Sequence, residues 1–475
     1  MRGALLTLAL GLSLSGAGWS QTGIERQDLP RMADQSLGLL APRTTRLPAD
    51  LWRGAETGTL VEGIEKIRGT GTPSARILFE RLMLAEAQAP EEGSGDLLAA
   101  RIDALLRLGS LDAAEAMLQT APTDLPDPDV ARLALDVAAL TNRSGPACAR
   151  IRDNPELAPS LAHRIWCDAR HGRWMVAMLT LEAGGALEQF EPNRFDHLLW
   201  FLDSEMFEPT TELPFPEPMT TLDFALREST GQARPAGPLP LAWLDADLSG
   251  TRTLRARMEA AEALTRGGTL PPSVLFAAYR AGEPAASGGI WGRADAVQSL
   301  DAALVGGDLY EVVDAVHALD AELAPLGLRA AAAREYGARL GAIPVGEADD
   351  LMARWLLLDN RSAAARAWMP DPAPMTDLVA LAIQTRPAVP VENRRFMRDG
   401  DWRARAIHDA FIDPADAPFE DGTAGLALLE ALAVLDAGTT VEADDLRRAL
   451  VTLRRAGQER LARAIAVETM FLGDV

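Results

Sequence analysis

Residues 97–122 read LLAARIDALLRLGSLDAAEAMLQTAP. An apolar-periodic run from Leu97 to Leu108 stops at Gly109, and a second run starts at Leu111 and continues to Leu118. The spacing follows a period of 3.6 residues, and none of it alternates as a half-buried strand does. Glycine ends the first run because it tolerates a positive φ. The stretch therefore predicts two antiparallel helices joined at Gly109.

The same signals extend outward. Ser74–Ala87 places Ile77, Leu78, Leu82 and Leu84 on one side, with Arg76, Glu80 and Arg81 on the other. Asp127–Leu140 opens on an acidic cap and runs apolar at Val130, Leu133, Leu135 and Val137. A local unit recurs: a turn residue with small or apolar residues four, five and seven positions later. Gly109 precedes Ala113, Ala114 and Ala116, and Gly172 precedes Val176, Ala177 and Leu179. Asn360 precedes Ala364, Ala365 and Ala367, and Gly457 precedes Leu461, Ala462 and Ala464. Small side chains there let the second helix of a hairpin lie close to the first. A lone hairpin cannot bury both faces, so such units stack.

Leu106-Arg107-Leu108-Gly109 through Ala113, Ala116 and Pro122 resembles the second half of a tetratricopeptide repeat. The chain departs from that family in lacking a steady 34-residue period and the large residues of the first repeat helix. It is also similar to exported helical proteins of alphaproteobacteria. The resemblance implies an all-α fold of stacked helical hairpins forming a tetratricopeptide-like α-solenoid. Two arrays are expected, residues 49–204 and 241–475, after an extended lead-in at 21–48. An acidic, proline-rich linker at 205–240 separates them: the stretch from Asp203 carries Glu205, Glu208, Glu212, Glu217 and Asp223, with no basic residue before Arg227. Pro209, Pro214, Pro216 and Pro218 forbid a long helix there.

The N-terminus reads as a cleavable signal peptide, residues 1–20: Met1-Arg2, an uncharged apolar run from Ala4 to Leu14, then small residues through Ser20. That run is shorter than the roughly 20 residues a membrane-spanning helix needs, and no later stretch of the mature chain is long and uncharged enough to span. A periplasmic location follows as the expectation. The only two cysteines, Cys148 and Cys167, then read as one disulfide across a helical hairpin broken at Asp153-Asn154-Pro155.

The 475 residues are 48% hydrophobic but only 5% aromatic, with alanine and leucine supplying most of the apolar content. The formal net charge is −22 and Lys66 is the only lysine. Such a chain repels nucleic acids and anionic membrane surfaces, which argues against nucleic-acid partners.

Catalytic patterns are missing. The five histidines, His163, His171, His197, His317 and His408, form no metal-ligand motif. No nucleophile elbow or phosphate-binding loop occurs, and Gly69-Thr70-Gly71 reads as a turn. A cell-wall hydrolase of the lytic-transglycosylase type, with a helical superhelix, is the alternative; its best acid would be Glu430. No glycine-rich segment of the expected kind follows it. An ice-binding surface needs regularly spaced threonines, whereas Thr70, Thr72, Thr220 and Thr221 fall in breaks.

The expected function is therefore non-enzymatic and cofactor-free: a periplasmic scaffold for protein partners in the cell envelope, such as secretion, cell-wall or motility machinery. Candidate partner-binding residues are Arg173, Trp174, Trp200, Phe201, Glu205, Glu208 and Glu212. Tryptophan and arginine are favoured at interface hot spots, although large aromatics also plug gaps between helices.

Overall fold

Gly109 adopts φ +84°, and the helices Ser94–Leu108 and Leu111–Thr120 flank it. Three further hairpins repeat this geometry in the computed structural model: Leu161–Arg170 with Trp174–Ala186, Asp350–Leu358 with Ser362–Trp368, and Ala443–Arg455 with Glu459–Phe471. Their turn residues Gly172, Asn360 and Gly457 have φ of 76°, 57° and 72°. In all four, the residue after the turn donates its N–H to the carbonyl five positions back: Ser110 to Leu105, Arg173 to Asp168, Arg361 to Leu356 and Gln458 to Leu453, at 2.8–2.9 Å. This closes the otherwise unpaired carbonyls of the helix end. The alanine five positions after each turn, Ala114, Ala177, Ala365 or Ala462, is wholly buried. The recurrent unit is thus a real packing unit.

The structure describes residues 36–90, 93–122, 127–191, 193–204, 212–248, 252–284, 288–385, 402–412, 419–420 and 422–473. They are all-helical apart from a short pairing of Ser36–Leu37 with Ala87–Gln88. The signal segment 1–20 and the lead-in up to residue 35 lie outside them. Arg101 fixes the rest of the lead-in. Its buried guanidinium donates to the carbonyls of Met83 (2.8 Å), Leu37 (3.1 Å) and Ala85 (2.7 Å). Asp127 caps Pro128–Thr141 by accepting from the N–H groups of Asp129 and Val130, as its sequence position predicts.

The first described helices pack on the last. Thr57–Lys66 lies against Ala424–Leu435, and Pro73–Leu84 against Glu459–Phe471. The Asp436 carboxylate accepts from the backbone N–H of Arg68 (2.7 Å), Thr70 (2.8 Å) and Gly71 (3.1 Å). Glu468, buried, accepts from Ser74 N–H (2.8 Å) and Ser74 Oγ (2.7 Å) and pairs with Arg334. Gly425 donates to the Leu51 carbonyl, and a Cβ there would sit 2.4 Å from that oxygen. Only glycine allows so close a backbone approach.

One large core joins side chains from Leu37 to Val137 with side chains from Met258 to Phe471. A second, smaller core spans Ala131 to Leu226. Pro128–Thr141 serves both, with Val130, Leu133 and Val137 in the larger core and Ala131, Leu135 and Ala138 in the smaller. Periodicity shows that a helix has an apolar face but does not say which other helix covers it.

Residues 212–240 differ from a solvated linker. Arg194 pairs with the buried Asp223 (3.1 Å) and donates to the Pro218 carbonyl (2.9 Å). The buried Arg227 donates to the carbonyls of Leu213 (3.1 Å) and Ala233 (2.9 Å) and lies 4.1 Å from the Phe215 ring centre. The Thr221–Ser229 helix carries a reciprocal cap between Thr220 and Asp223. The four-proline stretch is thereby fastened where it is described, at Pro214, Pro216 and Pro218.

Candidate interaction surface

Cys148 and Cys167 are joined, with their Cα atoms 5.2 Å apart, linking Gly145–Asp153 to Leu161–Arg170. Both sulfur-bearing residues are buried in the smaller core. Trp174–Ala186 packs on the disulfide-bearing helix through Ala177, Leu181 and Gly184, all buried.

The outer face of this helix is apolar as well. Met175, Leu179, Ala183 and Ala186 succeed one another at steps of three and four residues, and all are exposed. Trp174, Val176 and Leu187 adjoin them. Met175 is 83% exposed, Leu179 67% and Leu187 68%. Of the ten large hydrophobic side chains exposed among the described residues, five fall between Trp174 and Leu187. Glu182 is the one charged residue of this helix. A helix apolar on all sides belongs in an interior, and contiguous exposed apolar patches mark binding sites.

The structure brings together part of the set expected from sequence. The rings of Trp174 and Phe201 meet at 5.9 Å, joining the patch to Arg194–Leu202. Arg173 is tied to Asp168, so it orients the turn and has its charge satisfied. Trp200 is half-buried on the same helix as Phe201. Glu205 and Glu208 lie outside the described residues. Glu212 pairs with Arg227 at 3.3 Å and is therefore partly neutralised. Met175, Val176, Leu179 and Leu187 fall outside an expectation built on tryptophan and arginine. Their signal was in the sequence: 174–187 runs WMVAMLTLEAGGAL with one charge, too apolar for a helix with a wet side.

A second polar locus lies between the two cores, a cavity of about 390 Å³ lined by Asp103, Arg132, Asp136, His163, Thr220 and Trp243 among others. Burial pushes the Asp136 carboxyl up to about 6, against the opposing pull of Arg132 at 3.3 Å. Burial pushes His163 down to about 4; Ser160 Oγ lies 2.9 Å from its Nδ1. Glu430 is exposed on Ala424–Leu435, outside this cavity. Among the described residues, no group of His, Cys, Asp and Glu is arranged to hold a metal ion, and no helix is long and apolar enough to cross a membrane.

The fold and surface define an all-helical, disulfide-linked protein with an uncovered apolar helix face. No family model matches the chain, and neither a curated protein nor a solved structure matches it.

Proposed function

We propose that this protein is an exported interaction scaffold of the bacterial periplasm, built of tetratricopeptide-like stacked hairpins, and that it holds a partner of the cell envelope on the outer face of Trp174–Leu187. The observation that carries this reading is the apolar character of both faces of that helix, only one of which is covered. The Trp174–Phe201 pair supplies the aromatic anchor such interfaces favour. Export is supported by the N-terminal apolar run and by the pairing of both cysteines. The partner element is an amphipathic helix with basic flanks. Its apolar side matches the Met175–Leu179–Ala183 stripe, and its charge complements Glu182, Glu188 and the net −22 of the chain.

A photo-crosslinking residue placed at position 179 in the full chain, in cells, tests the reading against the same residue at 430. One defined adduct from 179, absent from 430 and carrying a basic amphipathic helix at the attachment point, is the expected result. No adduct, or adducts only to a second copy of the same chain, would overturn it.

A further inference from the structure

The Arg76 guanidinium is half-buried and has no partner among the described residues. It makes no hydrogen bond or ion pair with any of them, and its Nε is enclosed with no acceptor among them; the hydrogen bonding of Arg76 is through its backbone, whose N–H donates to the Thr72 carbonyl at 3.1 Å. Burial pushes its guanidinium down to about 10, opposed by the charge of Glu468 and reinforced by Arg266, so it remains a cation at neutral pH. The exposed Arg266 side chain also has no hydrogen bond or ion pair with a described residue. Both line a cavity of about 530 Å³ where the first described helices meet the last, walled by Gly69–Pro73, Gly327 and Ala437–Thr439. Thr72, also in that wall, is 5% exposed and its Oγ1 has no partner among the described residues. An adjoining cavity of about 540 Å³ shares Pro73 and Gly327 and contains Thr265, again 5% exposed, with a hydroxyl that has no partner among the described residues.

The nearby carboxylates are already engaged. Glu468 serves Ser74 and Arg334, and Asp436 serves the backbone of residues 68–71. An unpaired guanidinium kept in a half-enclosed place is destabilising unless something answers its charge. In a chain of net charge −22, a half-buried Arg76 and an exposed Arg266 brought to one cavity place two positive charges where no described carboxylate pairs with either. The volume falls in the range that holds small organic ligands. We propose that this cavity binds a small molecule through an oxyanion group, phosphate or carboxylate, clamped by Arg76 and Arg266. The planar fork of arginine suits two-point contact with either group.

The test is thermal unfolding of the purified full chain with inorganic phosphate, and separately with citrate, each against sodium chloride at equal ionic strength. A saturable rise in midpoint of about 2 °C or more is expected with at least one of them; which one responds assigns phosphate or carboxylate. Arg76→Met should be at least as stable as the parent without anion, because an unpaired charge is removed, and should lose the response. Arg266→Gln, at an exposed position, should fold normally and also lose it. Three results would overturn the proposal: no response beyond chloride; a response unchanged in both variants; or Arg76→Met markedly less stable than the parent, which makes Arg76 a structural residue.

Discussion

Asp136 and His163 share one cavity and titrate in opposite senses. Asp136 is raised from 3.8 to about 6, so between those values the folded chain holds a proton that the unfolded chain has released. Its contribution is present below pH 3.8 and lost as pH rises through about 6. His163 is lowered from 6.5 to about 4, so the unfolded chain holds the extra proton. Its contribution is present above pH 6.5 and lost as pH falls through about 4. The two terms, each on the order of 2–3 kcal/mol at full size, largely cancel. Urea midpoints measured at pH 4.5 and 6.5 should therefore separate the variants. Relative to the parent, Asp136→Asn gains stability as pH rises, and His163→Gln loses it. Parallel pH profiles for all three chains would contradict this assignment.

At the scale of the element, Trp174–Ala186 offers an internal control. Leu181 is wholly buried in the smaller core, and Leu179 two residues earlier is 67% exposed. Leu181→Ala should destabilise by about 3 kcal/mol, from lost transfer energy and a residual cavity. Leu179→Ala should stay within about 0.5 kcal/mol by chemical denaturation. If the two leucines contribute equally, the outer face is covered within the chain and the docking surface does not exist. The disulfide beneath gives a second measure. Cys148 and Cys167 are 19 residues apart, so replacing both with serine should lower stability by about 3 kcal/mol in the chain-entropy account. The loss should be largest in hydrogen exchange of Gly145–Asp153 and Leu161–Arg170, which the bridge links.

At the scale of the molecule, the meeting of first and last helices sets the expected cooperativity. In an open stack of repeats each unit touches only its neighbours, and damage at one end stays there. Here Asp436 holds three N–H groups at residues 68–71. Asp436→Ala leaves those donors without their acceptor and should destabilise by about 2–4 kcal/mol. Hydrogen exchange should rise together in Thr57–Lys66 and Ala424–Leu435, which pack on each other. A rise confined to one of them would mean that the two ends do not unfold as a unit.

Helix-forming composition, turn residues and caps act within a few residues. That is why the four hairpins around Gly109, Gly172, Asn360 and Gly457, the Asp127 cap and the Cys148–Cys167 bridge were legible in the sequence. The apolar run from Trp174 to Leu187 was written there too, but which of its faces stays uncovered was not. Contacts between residues about 365 apart in the chain, such as Asp436 with the 68–71 turn, leave no local trace. The tertiary structure alone decided that Leu37–Val137 shares a core with Met258–Phe471, that Arg227 fastens the proline-rich segment, and that Arg76 and Arg266 face one cavity. The reason is physical: an apolar stripe needs burial but does not specify its cover, and a charge needs an answer that only the assembled fold can supply or withhold.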